Sequence, residues 1–96
     1  MTLEELYNAE RARIRKLALR YSRIFRVEPE DLEQTGALAV CETYYRYAYK
    51  VTDEALLKLS HCIINRMMYK YALKEKRQKR AFQLSKHEKR KDGEIN

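Results

Sequence analysis

Apolar residues recur along the chain at spacings of three and four, and the pattern breaks in two places. Leu3, Leu6, Tyr7, Ile14, Leu17, Ala18, Tyr21, Ile24 and Phe25 form a first stripe. Thr2 stands where an N-cap belongs, and Glu5 three residues on completes a capping-box pattern. The stripe ends around Arg26 and Val27, where the chain must turn. Pro29 then suits the first position of a second helix, because its missing N–H would have had no intrahelical partner there. Glu28 before it is an acceptor near the helix start, and Asp31 supplies negative charge to the first turn. Leu32, Gly36, Ala39, Val40, Tyr44 and Tyr47 line one face, so the pattern predicts a helix over residues 28–49.

Thr52 caps a third segment, with Asp53 and Glu54 in its first turn. Leu56, Leu59, Ser60, Ile63, Met67 and Tyr71 give its stripe, which Leu57, Ile64 and Met68 widen. The helix is expected to continue past Ala72 into the basic run 74–80, where Glu75 and Lys79 are spaced to pair. Ala81, Phe82 and Leu84 interrupt the basic stretch as a short apolar anchor. The expected fold is all-α: a three- to four-helix bundle over residues 1–80, followed by a basic, flexible tail over 81–96.

Gly36 sits in the interior of the second helix, at a cost of about 1 kcal/mol relative to Ala. Its neighbours are apolar, so close approach of another helix is the reason expected for it. Tyr44, Tyr45, Tyr47 and Tyr49 crowd the end of that helix and cannot all face one core. Tyr44 and Tyr47 fall on the buried side, while Tyr45 and Tyr49 are left for an interface, for stacking, or for the rim of a small core.

Charge sharpens the picture. The chain has 96 residues and a net charge of +7, and nine of its 21 Lys and Arg lie within residues 74–91. That concentration is a polyanion signal, with a solvated tail as the plainer explanation. The stripes are too short in apolar run to span a membrane, and no signal-peptide pattern opens the chain. Cys41 and Cys62 fall within apolar helical patterns and read as two buried thiols in a cytoplasmic protein. His61 reads as a packing or boundary histidine. Two Cys and two His without a CxxC pair do not make a zinc site, and no cofactor or catalytic constellation is expected.

The segment Asp31-Leu32-Glu33-Gln34-Thr35-Gly36-Ala37-Leu38-Ala39-Val40 resembles the signature of region 2 in the sigma-70 family of bacterial transcription initiation factors. That signature runs Asp-Leu-x-Gln-acid-Gly-x-Leu/Ile-Gly/Ala-Leu and continues to an aromatic near Tyr47. The similarity spans residues 8–80. It implies that the second helix docks on the clamp helices, a coiled coil of the largest catalytic subunit of RNA polymerase core. Asp31, Glu33, Gln34, Ala37, Cys41 and Tyr45 would carry that contact. Arg66, Tyr69, Lys70, Lys74, Arg77 and Arg80 would meet promoter DNA.

Departures from the family narrow what the resemblance implies. Thr35 replaces the usual acid and Thr43 a common alanine. The third helix carries Leu59-Ser60-His61-Cys62-Ile63-Ile64-Asn65-Arg66 where primary members have an aromatic run, and the chain has no Trp. Recruitment is therefore expected over DNA melting. Met1 reads as a natural start, and the chain corresponds to region 2 without the second helix-turn-helix domain, which a separate protein would supply. Two alternatives remain: a phage or mobile-element regulator that binds polymerase or DNA without opening promoters, and a small helical interaction protein with a nucleic-acid-binding tail.

Overall fold

The computed structural model describes the backbone of residues 1–95 and the side chains of residues 1–80. Three helices follow one another: α1 (Leu3–Phe25), α2 (Pro29–Tyr47) and α3 (Asp53–Ile95). The result is a small all-α three-helix bundle, in which each helix packs against the other two.

The starts of α1 and α3 follow from their caps. Thr2 Oγ1 accepts from the Glu5 amide at 3.1 Å, and Glu5 Oε1 accepts from the Thr2 amide at 3.1 Å, a complete capping box. Those hydrogen bonds hold the Glu5 carboxyl below its ordinary pKa. Thr52 Oγ1 accepts from the Ala55 amide at 3.2 Å and opens α3. Glu28 departs from the sequence expectation: it occupies the N-cap of α2 but makes no side-chain cap bond. Pro29, Glu30 and Asp31 start this helix through fixed φ and negative charge instead. The helix also ends earlier than the aromatic pattern suggested, leaving Tyr49 in the turn, with the Lys50 ammonium 5.3 Å from its ring centroid.

Between α1 and α2 the chain reverses in three residues. Arg26 closes α1 in the left-handed region (φ 56°, ψ 47°), its amide donating to the Ser22 carbonyl at 2.8 Å. A residue with a Cβ is strained there, and Gly is the usual occupant. Arg26→Gly is therefore expected to stabilise the fold by about 0.5–1 kcal/mol in urea unfolding, after the entropy that Gly adds to the unfolded chain. Arg26→Ala, which keeps the Cβ, should show no such gain. Val27, next in the chain, is buried and pins the turn to the core.

The core is a stack of lines at spacings of three and four. Leu6, Ile14 and Ala18 come from α1, Leu32, Ala39 and Val40 from α2, and Leu56, Ile64, Met68 and Ala72 from α3. Each large member contributes about 1.5–3 kcal/mol by leaving water. The buried line of α3 runs Leu56, Ser60, Ile64, Met68, Ala72, a strict four-residue repeat, so Leu59 falls outside the core and Ile63 and Met67 on its margin. Tyr7 and Ile24 of the expected α1 stripe are exposed. Cys62 is exposed and Cys41 half-buried, so the two are not the buried thiols the pattern suggested. Cys41 follows the core residue Val40 and Cys62 stands two positions before the core residue Ile64, but one or two steps along a helix turn the side chain by about 100° or 200° and out of the stripe.

Three polar side chains lie inside the stripes. Thr43 donates to the Ala39 carbonyl at 2.7 Å, and Ser60 to that of Leu57 at 2.8 Å; each satisfies its hydroxyl on its own helix. Glu10, 1% exposed, has no such local partner. Its Oε1 accepts from His61 Nε2 at 2.6 Å across the α1–α3 interface, while Oε2 has no hydrogen-bond partner. His61 is thus a boundary residue, as its position implied, but one that serves a buried carboxylate.

Gly36 lies at a close contact between α2 and α1. A Cβ built on it would stand 2.6 Å from Ile14 Cγ2, 3.1 Å from Ile14 Cγ1 and 3.2 Å from Met68 Sδ. The close approach expected from the sequence is present, and both neighbouring helices take part. Among the described residues, no helix is long and apolar enough to cross a membrane.

Candidate interaction surfaces

Packing leaves α2 with a distinct outward line. Leu32, Gly36, Ala39, Val40 and Thr43 face the core. At 100° per residue the opposite side carries Asp31, Gln34, Leu38, Cys41 and Tyr45. Leu38 is 64% exposed and Tyr45 70% exposed, although both are large and apolar in body. Asp31 and Gln34 are exposed and Cys41 half-buried. Glu42 and Arg46 pair at 3.4 Å along one flank of this line.

The structure divides the six α2 residues expected to contact polymerase. Asp31, Gln34, Cys41 and Tyr45 share the outward line. Glu33 and Ala37 are half-buried on the flank, about 120° and 80° away from its centre by helical geometry. Glu33 there helps line a polar recess with Tyr7, Arg11, Ile14 and Arg15 of α1. Leu38 belongs to the line and was not among the expected contacts. Its signal was present in the sequence, an apolar residue two positions past Gly36 and therefore off the buried stripe. Thr35 turns its hydroxyl onto the Asp31 carbonyl at 2.9 Å, which stabilises the first turns of α2 and leaves that donor engaged.

Asp31 also lies within charge–charge range of α3. Burial pushes the Tyr71 hydroxyl above its usual pKa, with the charges of Glu75 and Asp31 adding to the shift. A carboxylate on the edge of the line therefore sits within electrostatic reach of the third helix.

A second surface is cationic. Arg66, Lys70, Lys74, Arg77 and Arg80 are exposed on α3. Lys70, Leu73, Lys74, Arg77 and Gln78 line a shallow groove of about 420 Å³. Tyr69 behaves differently from the rest of the expected DNA-contacting set. Its ring packs edge-on against Tyr21 at 6.1 Å and Phe25 at 5.7 Å, and Tyr21 donates its hydroxyl to Asn65 Oδ1 at 2.5 Å. It is partly a structural residue of the α1–α3 interface, with its outer side left to solvent.

Lys79 does not pair with Glu75; its Nζ donates to the Arg26 carbonyl at 3.0 Å. The carbonyl at the end of α1 carries the negative end of that helix's dipole, and it is the better-placed acceptor. The apolar anchor expected at Ala81, Phe82 and Leu84 lies outside the described side chains, as does His87. Among the described residues no three His, Cys, Asp or Glu side chains converge as metal ligands would.

These features define a small helical bundle with an apolar-centred line on one helix and a cationic face on another. No protein-family model matches the chain, and neither a curated protein nor a solved structure matches it.

Proposed function

We propose that this chain is a sigma-like transcription factor that binds the clamp helices of bacterial RNA polymerase core and contributes to promoter recognition. One observation carries it. The Asp-Leu-x-Gln-x-Gly motif sits on α2 with its apolar and glycine members facing inward, and with Asp31, Gln34, Leu38, Cys41 and Tyr45 left as a free outward line. Such a line suits a coiled coil of another protein. Leu38 and Tyr45 would lose water on docking and supply most of the affinity, while Asp31 and Gln34 fix register at the edge. The cationic side of α3 then meets the phosphate backbone through Arg66, Lys70, Lys74, Arg77 and Arg80. The mechanism is recruitment, with no covalent chemistry by this chain.

A second reading keeps the docking surface and removes promoter opening: a regulator that binds polymerase or DNA without melting it. Two observations favour it. The chain has no Trp, and the ring of Tyr69 is partly engaged within the α1–α3 interface.

Retention on immobilised bacterial core polymerase tests the docking line. Asp31→Ala/Gln34→Ala is expected to lower retention at least tenfold, whereas Lys58→Ala, an exposed residue of α3, leaves it unchanged. Retention that survives both the double variant and Leu38→Asp would remove α2 as the docking element. Transcription by purified core polymerase, with and without this protein, then separates an initiation factor from a regulator.

A further inference from the structure

A notch lies between the end of α1 and the middle of α3. Ile24, Phe25, Arg26, Lys76, Lys79 and Arg80 line it, and its volume is about 580 Å³. That is within the range of about 300–1,000 Å³ typical of binding sites, and the lining combines an apolar floor with a cationic rim. Four cations in so small a space repel one another unless an anion joins them.

Two of these cations are already held in place. The Lys76 ammonium lies 5.7 Å from the centroid of the Phe25 ring, a cation–π distance. Lys79 donates one N–H to the Arg26 carbonyl, leaving two for a ligand. That bond also covers the carbonyl end of α1, which would otherwise oppose an incoming carboxylate. Ordering these side chains beforehand lowers the entropy lost on binding.

The chemistry of the floor selects among anions. Phe25 packs against Tyr21 and Tyr69 and has the Lys76 ammonium 5.7 Å from its ring centroid, so a nucleobase would have to displace that cation to stack there. Ile24 is aliphatic, 55% exposed, and has no stacking face to offer. An aliphatic floor within a ring of ammonium and guanidinium groups fits a peptide bearing carboxylates around an apolar anchor better than a sugar-phosphate strand. We propose that this notch docks an acidic protein segment, with one or two aliphatic side chains seated on Ile24 and its carboxylates paired to Arg26, Lys76, Lys79 and Arg80. The site shares no residue with the α2 line and does not depend on polymerase binding.

The full chain, labelled with nitrogen-15, is titrated with a helical peptide carrying Glu with Leu at i and i+4. An all-Glu peptide of equal length and a single-stranded oligonucleotide serve as comparisons. The Glu/Leu peptide is expected to move the amide resonances of residues 24–26 and 76–80 and to bind at least tenfold more tightly than the all-Glu peptide. Ile24→Ser, which removes the aliphatic floor without adding charge beside Arg80, should weaken that peptide at least tenfold and leave oligonucleotide affinity unchanged. Ile24 is exposed, so this variant keeps the fold, which the unperturbed core resonances check. Equal affinity for the two peptides, or shifts centred on Arg66 and Lys70, would overturn the proposal. An oligonucleotide that takes the notch and is weakened by Ile24→Ser would assign the site to nucleic acid instead.

Discussion

Gly36→Val is expected to lower the stability of this protein by about 3 kcal/mol or more. Overpacking a filled core costs about 1–3 kcal/mol, and Val adds three carbons where the first already lacks room. The clash is with Ile14 Cγ2 and Cγ1 at 2.6 and 3.1 Å, groups held close to the α1 backbone by β-branching, which cannot swing aside. Met68 Sδ at 3.2 Å belongs to a flexible side chain and yields more readily. Against this, replacing Gly in a helix gains at most about 1 kcal/mol. A domain of this size has about 5–15 kcal/mol in all, so a loss of 3 or more is a large fraction of it. Gly36→Ala isolates the first carbon and should come out about 1 kcal/mol less stable than the parent in urea unfolding. Adding Ile14→Ala should recover part of that loss, a coupling a double-mutant cycle reads directly. If Gly36→Ala is stabilising, as at an exposed helix position, the α1–α2 contact is not as close as described.

The second large effect concerns Glu10 and His61, which should respond in opposite ways. His61→Ala strips a fully buried carboxylate of its one hydrogen bond. The expected cost is about 2–4 kcal/mol, the penalty of leaving a buried carboxyl group without a hydrogen-bond partner. Glu10→Met removes the charge, the orphaned Oε2 and the need for His61, while filling similar volume. That variant is expected to be neutral, or more stable by about 1–2 kcal/mol. Thermal unfolding of the two single variants and the double variant checks the pair. If His61→Ala in the Glu10→Met background still costs as much as in the parent, His61 acts through packing and not through the carboxylate.

The helices were legible because their punctuation is chemical and local. Thr2 with Glu5, Pro29, and Thr52 with Asp53 mark starts that need no tertiary information. Gly36 was legible as a contact because an interior glycine flanked by apolar residues has few other uses. What resisted was the inside of each stripe. Glu10 and Thr43 stand at positions the repeat assigns to the core, but a polar letter reads as outward until its partner is known. Thr43 finds its partner four residues back on the same helix; Glu10 finds His61 from 51 positions away. In α3 two overlapping apolar lines were available, through Leu59 and Ile63 or through Leu56 and Ile64, and only packing against α1 and α2 chose between them. The outward line of α2 was partly visible, with Leu38 passed over as a contact although it lies off the apolar stripe. The notch was not visible at all, since it joins Ile24 to Lys79, residues that share no local pattern.

Because α3 is one helix from the bundle into its basic part, the charges beyond the core keep a fixed pitch. From Arg66 to Arg80 the rise is about 21 Å at 1.5 Å per residue. Phosphates along one strand of a duplex advance about 3.4 Å each, so the same length spans about six of them. The helix is in that sense a ruler, with Lys70, Arg77 and Arg80 as marks whose separation is set by the backbone and not by the flexibility of a tail.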